Sequence, residues 1–111
     1  MNITALPDEL KKRATTLGGE PAWSVCDARE VIERLRQLDI AVVGIEIWLR
    51  EGNDPQVIGW SNYTIAFKDD WKSFVEKNAA SAIRELDNPI PEDALVNLTC
   101  ITRSELSKKD D

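Results

Sequence analysis

Few residue types in this chain can do chemistry near neutral pH. There is no histidine among its 111 residues, which removes the usual general base, the Ser–His and Cys–His nucleophile pairs and the commonest metal ligand. The two cysteines, Cys26 and Cys100, lie too far apart in sequence for a metal knuckle or a C-x-x-C redox pair. Each sits in an apolar pattern, where a free cysteine behaves as a small hydrophobe. The carboxylates remain. Asp69 and Asp70 are adjacent beside an aromatic cluster, but neighbours at a helix start point in different directions and make no facing acid–base pair. Capping of the helix that follows explains them more simply. Glu46 is the most telling single charge, because it sits in a mostly apolar strand. Buried, it would need a partner such as Arg50 or a raised pKa; on a half-exposed face shared with Trp48 and Arg50 it would simply be solvated. No phosphate-cradling loop or nucleophile elbow is present, and Gly44 alone is a strand glycine that lets something approach closely. A small enzyme using carboxylates only would need Glu46 and a second acid converging in one pocket. The inventory therefore favours a binding module over an enzyme, with no cofactor and no metal.

Four tryptophans, Trp23, Trp48, Trp60 and Trp71, are the other notable residues. Trp71 lies on a helical apolar stripe and reads as core. Trp23, just before a capping residue, reads as a staple fixing the start of a helix. Trp48 and Trp60 flank a hairpin beside Glu46, Glu51 and Asp54. That is the composition of an interface anchor among acids, and equally of half-exposed core.

The elements that must position these residues follow from spacing. Pro7-Asp8-Glu9 suits a first helical turn, with Leu10, Ala14 and Leu17 at helical spacing and Gly18-Gly19 as the stop. Ser24 and Asp27 form the S-x-x-D variant of a capping box. The helix they open carries Ala28, Val31, Ile32, Leu35 and Leu38 on one face and charged residues on the other. Residues 40–49 are the clearest strand: apolar on both faces at first, as in a central strand, then alternating. Glu51-Gly52-Asn53-Asp54-Pro55 is a turn. The stretch from Gln56 to Trp60 returns as the hairpin partner, and Tyr63, Ile65 and Phe67 either continue it past a bulge at Gly59 or form a short third strand. Asp69 or Asp70 caps the next helix, whose stripe is Trp71, Phe74, Val75, Ala79, Ala82, Ile83 and Leu86. Asn88-Pro89-Ile90-Pro91 ends it, and residues 95–102 form a last, β-branched strand. The order predicted is α-α-β-β-α-β. The class is α+β: a small, mostly antiparallel sheet of three to four strands packed with helices, the last strand lying on the free side of the first. Residues 1–103 form one globular domain, and 104–111 a polar, frayed tail.

Composition bounds the partners. With 42% apolar and 31% charged residues the chain has the balance of one globular domain. Acidic residues number 20 against 14 basic ones, a net charge of −6, so nucleic acid and anionic membrane should be repelled and a basic protein attracted. The N-terminus has neither a basic nor an apolar region of a secretory signal, and no apolar run is long enough to span a bilayer, so the expected location is the cytoplasm.

Ala22-Trp23, the helix Ala28-Arg29-Glu30-Val31-Ile32-Glu33-Arg34-Leu35 and the strand Leu38-Asp39-Ile40-Ala41-Val42-Val43-Gly44-Ile45-Glu46-Ile47-Trp48 resemble the immunity protein 40 family. The similarity continues through Gly59-Trp60-Ser61, through Asp70-Trp71-Lys72-Ser73-Phe74-Val75-Glu76 with the later Ala82-Ile83, and through the final strand. It spans about residues 22–102. Ile45 and Glu46 stand where the family strand favours a second glycine and an aspartate. The resemblance implies a bacterial immunity protein, encoded beside a polymorphic toxin, that binds the toxin and blocks it. A nucleic-acid-cleaving toxin has a cationic cleft that an acidic inhibitor can occupy while speeding association. On this reading Trp48 and Trp60 anchor the contact, and Glu46, Glu51, Asp54, Asp69 and Asp70 meet basic toxin residues. The alternative is an acidic interaction or regulatory module with another basic partner; a toxin encoded immediately upstream would separate the two.

Overall fold

In a computed structural model, residues 5–51, 54–63 and 70–105 are described. Their order is α1 (Asp8–Lys12), β1 (Thr15–Leu17), β2 (Glu20–Ser24), α2 (Val25–Gln37), β3 (Ala41–Glu51), β4 (Asp54–Asn62), α3 (Trp71–Glu85) and β5 (Leu95–Ile101). The class is α+β. The sheet has five strands in the order β1-β2-β5-β3-β4, every neighbouring pair antiparallel. β3 is central, and β5 lies on its free side, the place expected for the last strand.

The first helix is the main departure. It ends at Lys12, and the segment expected to continue it is a strand. Thr15 and Thr16 are β-branched and favour extended backbone. Gly18 and Gly19 stop no helix; they are the two-residue loop of a hairpin in which Leu17 pairs with Glu20. Both have positive φ (59° and 81°), the geometry a tight turn between right-twisted strands demands and glycine adopts without strain. This hairpin adds the two strands absent from the sequence-based order.

The caps read from sequence are present. Ser24 Oγ accepts from Asp27 N at 3.2 Å and Asp70 Oδ1 from Ser73 N at 2.7 Å, each satisfying one orphan amide of a first turn. α2 closes with Asp39 in the left-handed region (φ 59°). Ile40 N donates to Leu35 O and Asp39 N to Arg36 O, the paired bonds of a Schellman ending, with aspartate in the place glycine usually takes.

α2 and α3 cover one face of the sheet. Ala28, Val31, Ile32 and Leu35 of α2 meet Ala79 and Ala82 of α3 and Val42, Ile45, Val96 and Leu98 of the sheet. Trp23, the residue before the Ser24 cap, is the largest wholly buried side chain and shares the core cluster with Ala28 of α2. Its Nε1 donates to Leu10 O at 2.9 Å, tying α1 to the core. Trp71 is half-buried in a satellite cluster with Phe74, and its Nε1 donates to Asp39 O at 2.8 Å. A bulge at Val43 interrupts the β3–β5 register, and buried Asn78 of α3 donates to Val42 O at 3.0 Å. At the C-terminal end, Glu105 N donates to Thr102 Oγ1 and Thr102 N to Glu105 Oε1. That reciprocal cap holds the first residues of the expected tail, while 106–111 lie outside the described residues.

Candidate binding surface

The second face of the sheet carries the candidate residues. Along β3, Glu46 and Trp48 are two residues apart and so share a face. The ladder places Glu46 between Trp60 on β4 and Asn97 on β5, and Trp48 between Val57 and Leu95. The β1–β2 hairpin folds over part of this face: Leu17 and Ala22 pack on Trp48 with Leu95 beside them. Asn97 secures the bend by donating to Pro21 O at 2.9 Å.

That roof separates the two tryptophans. Trp48 is 3% exposed and Trp60 is 69% exposed. The expectation that Trp48 reaches a partner directly is therefore corrected: its indole fills the space under the hairpin. Its edge still matters, because Trp48 Nε1 donates to Glu46 Oε1 at 2.9 Å. Glu46 is half-buried, held by an indole rather than by Arg50, and lies next to exposed Trp60 across the ladder. A charge-assisted bond of this kind fixes the carboxylate's direction without neutralising it.

The acids divide by position. Asp54 sits at the β3–β4 turn, where it pairs with Glu51; the side chain of Glu51 lies outside what is described, as does Asp69 altogether. Asp70 belongs elsewhere. It caps α3, whose Phe74 and Val75 pack against Ala41 and Ile101 at the opposite end of the sheet. At roughly 3.3 Å per residue, the length of β3 puts Asp70 about 30 Å from Asp54. The amide of Ser73 holds the Asp70 carboxyl below its ordinary pKa, which is the signature of a cap. Sequence reasoning missed three acids that do share the Asp54 end. Glu20 flanks the β1–β2 turn, whose Gly18 lies against Pro55; Glu92 and Asp93 are exposed just before β5, whose Leu95 pairs with Trp48. Only strand pairing brings these segments together.

Three arginines are engaged on the helix side, while Arg50 lies exposed on β3 near the Asp54 end. Arg13 pairs with Glu9, Asp27 and Glu30; Arg36 with Glu33 and Glu76; Arg29 with Asp87. These pairs stitch the helices together. Among the described residues no ion pair involves Glu20, Glu46, Asp54, Glu92 or Asp93, which leaves these carboxylates available to a basic partner.

Beside β4 on the helix side runs a groove of about 260 Å³, with Ile45, Ile47, Gly59, Glu85 and Ile90 in its lining. Nearby, Tyr63 has a buried hydroxyl without a hydrogen-bond partner; burial, reinforced by Glu85, pushes its pKa up to about 12. Cys26 is exposed, contrary to the expectation of burial, and Cys100 is half-buried against the core, its thiol pushed up to about 11 by burial. Among the described residues no group of three or more acids and cysteines could hold a metal ion, and no helix is long and apolar enough to cross a membrane. Comparisons with family models, with curated proteins and with solved structures returned no match.

Proposed function

We propose that this chain is an immunity protein: it binds a cognate bacterial toxin domain in the cytoplasm of the cell that makes it and neutralises the toxin by covering a cationic surface. The observation that carries this reading is the pairing of a widely exposed indole, Trp60, with carboxylates at the sheet end that make no ion pair among the described residues. An aromatic anchor on a rigid strand costs little side-chain entropy on binding, and acids around it select a basic partner and accelerate encounter. Glu46, oriented by Trp48, supplies charge directly across the ladder from Trp60, and Asp54 extends it to the turn end of β4, about 20 Å along the strand. The roles expected of Trp48 and Asp70 become supporting ones: the first positions Glu46, and the second caps α3. The resemblance to immunity protein 40 supplies the toxin as partner. A nuclease-type toxin fits because its cleft is cationic.

The test is co-expression with the toxin domain encoded beside this chain, scored for growth and for co-purification. Growth rescued by the wild-type chain and lost with Trp60→Ala plus Asp54→Lys supports the proposal. Absence of a neighbouring toxin, or rescue untouched by both substitutions, refutes it.

A further inference from the structure

The two edges of the sheet are unlike. β1 has three residues; β4, at the other edge, has nine and pairs only with β3. A long edge strand presents amide and carbonyl groups that template another strand, and proteins ordinarily blunt it with lysine, proline, a bulge or a cover; β4 has a bulge at Ile58 but no lysine and no cover among the described residues. β4 has Pro55 near its start and then no charged residue from position 56 to 63. Val57 and Ile58 are 46% and 44% exposed, and with Trp60 they make three of the four exposed large apolar side chains among the described residues.

Charge indicates what pairs there. The edge of β4 carries no charge beyond Asp54; the acid opposite Trp60, Glu46, stands on β3 and faces outward with the sheet. The neutrality of β4 leaves a stretch on which a second copy sets no like charge directly opposite another. The sequence is also complementary to itself. Antiparallel pairing about a two-fold axis at Ile58 sets Asp54 opposite the second copy's Asn62, Gln56 opposite its Trp60 and Val57 opposite its Gly59. No charge then faces a like charge, and a β-branched side chain covers each glycine. The β-bulge leaves Ile58 without a partner on β3, at the point through which the axis passes.

We propose that two copies of this chain pair through their β4 strands, antiparallel about a two-fold axis at Ile58, and merge their sheets into one. Edge pairing uses the backbone, so Trp60 stays on the face of the joined sheet and the dimer is compatible with the toxin-binding reading without depending on it. An interface built on one strand is small, which makes the dimer a reversible one.

Sedimentation velocity of the full chain from micromolar to millimolar concentration tests this, with circular dichroism to confirm that each variant is folded. The wild type is expected to pass from monomer to dimer. Ile58→Lys, which sets two lysines face to face, is expected to raise the dissociation constant about tenfold or more. Leu38→Lys, at the exposed apolar residue ending α2, should leave it unchanged. In a Cys26→Ser background, Ile58→Cys should cross-link on mild oxidation; Gln56→Cys should not, because the offset register holds the two thiols about 13 Å apart, beyond disulfide reach. A wild type that stays monomeric throughout, a dimer indifferent to Ile58→Lys, or equal cross-linking at positions 56 and 58 would overturn the proposal.

Discussion

Removing the roof over Trp48 by Leu17→Ala probes how the exposed face is divided between packing and binding. Leu17 is buried in a cluster of four residues with Ala22, Trp48 and Leu95. Buried leucine-to-alanine changes cost about 2–5 kcal/mol, depending on how well the site collapses. Here the lost side chain belongs to a short surface hairpin that can settle onto the gap, so the lower part of that range applies, about 2–3 kcal/mol. In a domain of this size that lowers Tm by roughly 8–20 °C. Urea and thermal unfolding measure the loss. Acrylamide quenching in a Trp60→Phe background reports the cause, since Trp23 and Trp48 are buried and Trp71 half-buried in the intact fold. Leu17→Ala should add one accessible indole. A change in stability below about 0.5 kcal/mol, the usual scale of surface substitutions, with quenching unaltered, would show that the hairpin does not cover Trp48.

Other substitutions test separate parts of the account. Asn78→Ala leaves the Val42 carbonyl at the bulge without its buried donor and should cost about 1–3 kcal/mol in urea unfolding; no loss would mean the bulge needs no side-chain partner. Asp39→Gly relieves a left-handed aspartate (φ 59°) and removes an acid from the negative end of α2; after glycine's entropy cost, a gain of about 0.5 kcal/mol is expected, and a loss would refute the strain. Tyr63 is the single tyrosine, so ultraviolet absorbance titrates it alone. Its pKa in the fold, about 12, lies above the ordinary 10.0, so its contribution is fully present below pH 10 and lost as pH rises toward 12. The absorbance midpoint should follow, and Tyr63→Phe should flatten that part of the alkaline loss while leaving stability at neutral pH unchanged or slightly higher; an ordinary midpoint would show the hydroxyl to be solvated.

What was legible in the sequence was what local chemistry decides. Ser24 and Asp70 were readable as caps because a side-chain oxygen before an apolar stripe has one obvious use. β3 was readable as central because residues 40–45 are apolar on both faces. The β1–β2 hairpin was not, since Leu10, Ala14 and Leu17 fit a helical period by coincidence; the available signal was Gly18-Gly19 directly after two threonines. For the same reason the burial of Trp48 was hidden, because Leu17 and Ala22 reach it only through that hairpin. Charge sign was readable from composition, yet its placement was not. Glu20, Asp54, Glu92 and Asp93 come from three separate segments, and Asp70 lies beyond the far end of β4, whose Asn62 already pairs with Gly44.

The central claim is that Trp60 and the acids of the sheet end form the contact with a basic protein. Stopped-flow association with the toxin domain proposed as its partner, at low and physiological salt, tests it most directly. Trp60→Ala should raise Kd about 30-fold, equivalent to about 2 kcal/mol and carried mainly by faster dissociation. Asp54→Lys should slow association and weaken its salt dependence, while Glu30→Lys on the helix side should do neither. Association equally sensitive to Glu30→Lys, or unmoved by Trp60→Ala and Asp54→Lys together, would contradict the account.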